Sequence, residues 1–207
     1  SPWPRLICNR QGEDMERFDN IPEQALAWHR AGKGAVLATV IETWGSAPRR
    51  VGSQLAISGE GVIEGSVSGG CVEGAVIVEA LEALEDGAAR ELEFGVSDED
   101  AFAVGLACGG TIRVLVEPVG KVLPEGLLAE LCAARAARTP VAYMADLDGG
   151  ARALAGPAEA TDALAQRFRM DRSGFDDGSR IFLGIHNPPL RLAVVGAVQK
   201  PRQMVAL

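Results

Sequence analysis

Apolar positions along the chain switch between a period of two and a period near 3.6, and glycine marks most of the switches. Residues 19–31 predict a helix, with Asp19 or Asn20 as cap, Pro22 in the first turn, Glu23 near the positive end and Gly32 as the stop. AVLATVIET, residues 35–43, is a β-branched apolar run of the kind that forms a buried strand. LAIS and VIEG, on either side of GEG, predict a short hairpin. From Val72 the residues Val72, Ala75, Val76, Ala80 and Leu84 recur at helical spacing, with Glu73, Glu79, Glu82 and Glu85 on the opposite face, so an amphipathic helix ends near Gly87. RELEFGV alternates as a half-buried strand, SDEDAFAVG opens like a helix at Ser97, Asp98 and Asp100, and TIRVLVEPV is a second strong strand. Further on, residues 124–138 predict an alanine-rich helix, and PVAYMAD and ARALA flank a turn at Asp148, Gly149 and Gly150. Residues 158–169 then predict a helix and SRIFLGIH a strand.

This succession predicts an α/β fold with a mixed sheet over residues 15–187. NPPL, residues 187–190, is a stiff connector, because consecutive prolines exclude helix. Beyond it RLAVVGAVQ resembles the first strand and turn of a Rossmann-type unit, with Val198 and Pro201 in place of the second and third glycines. Residues 188–207 are therefore expected to be a linker and an incomplete Rossmann-like start, and residues 1–14 an atypical or vector-derived leader. An unfinished unit would leave the apolar face of RLAVV open unless another chain covers it, which predicts a homo-oligomer.

Composition narrows the function classes. The formal charge is −8, so no general basic field exists for nucleic acid or an anionic membrane surface. No apolar stretch reaches the roughly 18–20 residues of a membrane span. The four cysteines, Cys8, Cys71, Cys108 and Cys132, form no CxxC pair, and with His29 and His186 they do not make a tetrahedral zinc pattern. Reduced thiols and a cytoplasmic address are the expectation.

Candidate chemistry gathers in small-residue stretches. GSVSGGCVEG places Cys71 where a loop becomes a helix, beside unpaired backbone N–H groups that favour a thiolate. A buried, inert sulfur under a glycine turn is the alternative. The N–H groups from Ser66 to Gly70, with the Ser66 and Ser68 hydroxyls, can form an anion nest, or Gly69 and Gly70 can serve only a tight turn. Glu73 is either an acid–base group near Cys71 or a solvent-facing helix residue. LACGG puts Cys108 next to Gly109 and Gly110, a second Cys-Gly-Gly element. Arg49 and Arg50 can clamp an anion, or stand solvated in their loop. Trp44 reads as a stacking surface or as core.

ETWGSAPRRVGSQLAISGEGVIEGSVSGGCVEGAVIVEAL, followed by FGVSDEDAFAVGLACGGTIRVLVEP, resembles the N-terminal domain of the XdhC/CoxI family, maturation factors of molybdenum hydroxylases. The resemblance covers residues 18–118 and weakens toward Gly196. It implies a chaperone rather than an enzyme: one that binds molybdenum cofactor transiently, guards it during sulfuration by a cysteine desulfurase, and helps insert it into an apo-hydroxylase of the xanthine or carbon monoxide dehydrogenase type. On this reading Arg49, Ser66, Ser68, Gly69, Gly70, Cys71, Glu73, Cys108, Gly109 and Gly110 form the cofactor site, and Cys71 and Cys108 face its molybdenum. A cysteine-dependent sulfur-transfer enzyme and a plain protein-interaction module are the alternatives.

Overall fold

The structure, a computed structural model, describes residues 20–95 and 109–189. Helix α1 (Ile21–Arg30) leads into strand β1 (Ala35–Trp44), then β2 (Gln54–Ser58), β3 (Ile63–Gly65), helix α2 (Glu73–Asp86), β4 (Arg90–Phe94) and β5 (Thr111–Pro118). These five strands make one sheet in the order β3-β2-β1-β5-β4. Helix α3 (Glu125–Ala136) connects to a second sheet of β6 (Val141–Asp146), β7 (Arg152–Ala155), β8 (Gly174–Phe175) and β9 (Ile181–His186), ordered β7-β6-β9-β8. A 3-10 turn (Pro157–Glu159) and helix α4 (Asp162–Met170) lie between β7 and β8.

Among the described residues every strand pairing within the two sheets is antiparallel, so the expectation of one mixed sheet is corrected on both counts. The physical reason lies in the connections: β1-β2, β2-β3 and β6-β7 return through short loops, whereas parallel neighbours need a long crossover. The Rossmann-like start lies almost wholly outside the described residues, as do the leader and the helix expected at Ser97.

Central strand β1 is buried from Ala35 to Ile41 without alternation, because both faces of its sheet are covered. Val36, Ala38 and Val40 meet Val76, Ala80 and Ala83 of α2 on one face. Leu37 and Ile41 face the opposite core, with Ala25 and Leu26 of α1, Leu128 and Leu131 of α3, and Tyr143 and Phe182 from the second sheet. Each such aliphatic side chain contributes about 1.5–3 kcal/mol of burial. Alternation then decides the outer layer: Ala142 of β6 turns away from Val141 and Tyr143 to meet Leu164 of α4.

Most element boundaries fall within two residues of the sequence expectation, and Gly87 closes α2 with φ 73°. The helix expected over 158–169 divides. Thr161 is extended and its side chain accepts a hydrogen bond from Leu164 N–H at 3.3 Å, so a new helix starts there. The two sheets are joined through a buried ionic cluster. Glu117 of β5 accepts from Tyr143 Oη at 2.9 Å and from Arg152 Nε at 2.5 Å, and Arg152 also donates to the Asp146 carbonyl.

Candidate functional site

Three glycine-bearing loops meet at one end of the five-stranded sheet. Trp44, the last residue of β1, pairs with Thr111, the first of β5, so the loop leaving β1 and the segment entering β5 emerge together. A Cβ on Gly110 would stand 2.5 Å from the Ser46 carbonyl oxygen and 2.9 Å from that of Trp44. Only glycine permits this approach of two backbones. The third loop, residues 66–72, joins the same cluster: a Cβ on Gly69 would lie 4.0 Å from Pro48 Cβ, and Ala47 and Cys71 pack against the same apolar core. The loop bearing Gly69, Gly70 and Cys71 and the segment bearing Gly109 and Gly110 thus each adjoin the loop that leaves β1. Cys108 lies outside the described residues. Trp44 is exposed rather than core, with the Arg113 guanidinium 5.6 Å from its ring centre.

The anion nest exists, and the chain fills it itself. Glu73 is buried, and its carboxylate accepts from Ser66 Oγ at 2.6 Å, from the backbone N–H groups of Val67 at 3.2 Å, Ser68 at 2.9 Å and Gly70 at 2.9 Å, and from the Ser68 hydroxyl. Ser68 Oγ in turn accepts from Val72 N–H at 2.9 Å, and Ser66 Oγ from Gly69 N–H at 2.8 Å. Burial alone would raise the Glu73 pKa; the hydrogen bonds from Ser66 and Ser68 outweigh it and leave it at about 2. The solvent-facing and acid–base readings of Glu73 are therefore corrected. A carboxylate ionised far below neutral pH has no proton to give and takes none. The same bonds commit Ser66, Ser68 and Gly70 N–H to holding the loop, so as donors to an external anion they are displaced by an internal one.

Cys71 is half-buried and free, while Cys132 is buried in α3 with its thiol pushed up to about 11 by burial and then by Glu23. Among the described residues no group of three or more His, Cys, Asp or Glu is arranged to hold a metal ion.

Beside the loops opens a cleft of about 1040 Å³ between the first sheet's loops, α1, the end of α3 and α4. Arg49 and Ser66 line it, and it adds residues that sequence reasoning missed: Arg135, Arg138, Arg169 and His186. Five arginines face two carboxylates, Glu23 and Asp171, inside a chain of net charge −8. Arg135 donates to Glu23 at 2.7 Å, Arg138 to the Pro189 carbonyl at 2.8 Å, and Arg50 stands 3.7 Å from Asp171. His186 Nδ1 is 3.1 Å from an Arg135 amino group, and a guanidinium can only donate, so Nδ1 is the acceptor. Burial, and then the Arg135 charge, lower the His186 pKa to about 3. The signal for this wall, arginines recurring late in two unrelated helices, carries no meaning until the chain folds.

A loop-built, cysteine-bearing end of an antiparallel α/β fold defines the class. Residues 28–95, about a third of the chain, match the XdhC and CoxI family. The chain is 42% identical over 94 residues to the molybdenum cofactor insertion chaperone PaoD of Escherichia coli strain K12, covering 45% of this chain and 29% of that protein. It is 34% identical over 88 residues to a probable xanthine dehydrogenase component of Bacillus subtilis strain 168, covering 41% of this chain and 26% of the relative. The chain thus spans less than a third of the length of these curated relatives. In fold it matches a crystal structure described as a xanthine dehydrogenase from Bacillus halodurans, with a TM-score of 0.58 and 23% identity over 81% of this chain and 52% of that one. No helix among the described residues is long and apolar enough to cross a membrane.

Proposed function

We propose that this chain acts in molybdenum cofactor maturation, binding the cofactor as cargo, guarding it during sulfuration by a cysteine desulfurase, and delivering it to an apo-hydroxylase of the xanthine or carbon monoxide dehydrogenase type. The observation that carries the reading is the meeting of glycine-bearing loops at one end of the sheet, one of which carries half-exposed Cys71 and lines an arginine-rich cleft through Ser66. The relatedness to an insertion chaperone agrees with it. Chemically the arrangement suits the cargo: a soft thiol for the metal end, exposed backbone at Gly70 and Gly109 where a flat pterin can approach closely, and cations for the phosphate. These are groups that hold a ligand, so transfer rather than catalysis is the role assigned.

Protein made in a strain that synthesises the cofactor is expected to carry molybdenum and the pterin chromophore after purification, and Cys71→Ala to carry less. Equal cofactor in wild type and variant would remove the thiol from the site; absence of cofactor from both would end the reading. The half-exposed, free state of Cys71 also favours a second reading, a persulfide carrier. Intact-mass measurement after incubation with a persulfide donor separates the two, since a carrier takes the donor's outer sulfur onto Cys71 while the donor leaves as its thiol, and a cofactor ligand does not.

A further inference from the structure

We propose that the arginine-lined cleft, and not the glycine loop, receives the phosphate-bearing end of the ligand, and that this end is an organic phosphate or diphosphate; the inference rests on the cofactor reading above and specifies how the ligand lies. Glycine-rich turns at a helix start are a natural phosphate cradle, but here the cradle is closed by Glu73. Five donors of the 66–70 loop already meet its carboxylate, which is buried and ionised at all physiological pH. A phosphate entering that loop would meet a like charge and find its donors taken.

The cleft next to it has the opposite character. Arg49 and Arg169 both line it, one on the loop after β1 and one on α4, and neither has a hydrogen-bond or ion-pair partner among the described residues. Arg50 is held only by Asp171 at 3.7 Å, a separation at which the guanidinium turns readily to a better anion. His186 is kept neutral by burial and by Arg135, so the cationic character of the cleft comes from guanidinium groups and does not fade as pH rises through neutrality. Size and wall chemistry choose the ligand class. At about 1040 Å³ the cleft is on the scale of sites for whole organic ligands, far more than a lone phosphate fills, and Phe168 and Pro188 supply an apolar surface beside the arginines. Ser66 lines the cleft and belongs to the same 66–72 loop as Cys71, so one ligand can lie with its anionic end in the cleft and its other end over Cys71.

The test uses the 207-residue chain made in a strain unable to synthesise the cofactor, titrated calorimetrically with pyrophosphate and with ADP. Both probes are expected to bind, ADP more tightly, with affinity falling as salt rises. Arg49→Gln with Arg169→Gln, both exposed and checked for an unchanged melting temperature, should raise Kd about tenfold or more, and Lys121→Gln, an exposed cation outside the cleft lining, should leave it unchanged. Absence of pyrophosphate binding, or a Kd untouched by the double substitution, overturns the assignment; ADP binding no tighter than pyrophosphate overturns the organic part. Neither probe contains molybdenum or pterin, so the two readings fail separately. A chain that binds pyrophosphate through its arginines and never retains cofactor sinks the cofactor reading alone, and one that retains cofactor while its pyrophosphate affinity ignores the arginines sinks the cleft alone.

Discussion

At Glu73 five donors from one loop converge on one carboxylate, and the consequence is a pH-dependent lock. Its folded pKa of about 2 lies below the ordinary 4.5, so the unfolded chain takes up the proton first as pH falls. The stabilisation, about 3 kcal/mol from a shift of this size, is fully present above pH 4.5 and lost as pH falls toward 2. Urea midpoints measured between these limits should fall steeply for wild type and less steeply for Glu73→Gln. At neutral pH the same substitution, which replaces an acceptor by an amide that must point a donor at donors, should cost about 2–3 kcal/mol. His186 works in the same direction. Its pKa is lowered from 6.5 to about 3, so its share of stability is present above pH 6.5 and declines below it. Ring resonances followed by NMR should stay flat from pH 8 down to about 4. Cys71 and Cys132 differ as well. Iodoacetamide should modify half-buried Cys71 in the native protein and leave buried Cys132 intact until it unfolds, as read by peptide mass mapping.

The scale of elements is set by glycines with different duties. Gly110 is required by contact: Gly110→Ala would drive a methyl into the Ser46 carbonyl, part the loop leaving β1 from the segment entering β5, and cost about 1–3 kcal/mol in a thermal melt. Gly126, in the first turn of α3, has open space around it. Gly126→Ala should therefore be neutral or stabilise by up to about 1 kcal/mol. If both substitutions cost the same, the close approach at Gly110 is not what holds the loops together. Hairpins and helix ends were legible in the chain because their signals are local: Gly87 after an amphipathic run, or Asp148-Gly149-Gly150 between two apolar ones. The break at Thr161 was missed because a threonine inside a helical pattern is ambiguous until its hydroxyl finds Leu164 N–H.

Across the whole molecule the two sheets depend on Glu117, fully buried on β5, and its partners Tyr143 and Arg152 on the second sheet. Burial pushes the Glu117 carboxyl up, while the Arg152 charge and the Tyr143 hydroxyl pull it back, so the group is tolerated only with its partners present. Arg152→Ala should destabilise by about 3–5 kcal/mol, because it strands a buried carboxylate. Glu117→Gln combined with Arg152→Met is expected to cost less than Arg152→Ala alone. Chemical denaturation of the three proteins checks this order. The arginine cleft lies where α3 and α4 stand beside α1 and the first sheet's loops, so loosening the junction between the sheets should also weaken pyrophosphate binding.

Periodicity and turn chemistry along the chain determined the helices, most strands and the small-residue loops, because each depends on residues within a few positions of one another. The family likeness of the Cys71 region was equally local, a contiguous run of residues. Tertiary structure alone decided strand direction, the division into two antiparallel sheets, and the fate of the anion nest. The helical pattern put Glu73 among the outward-facing acids of α2, yet the loop before it folds back and encloses the carboxylate. The arginine wall was likewise invisible, since Arg49, Arg135 and Arg169 stand far apart in sequence and become one electrostatic surface only when the sheets close around them. Charge acts through space, and sequence records only order.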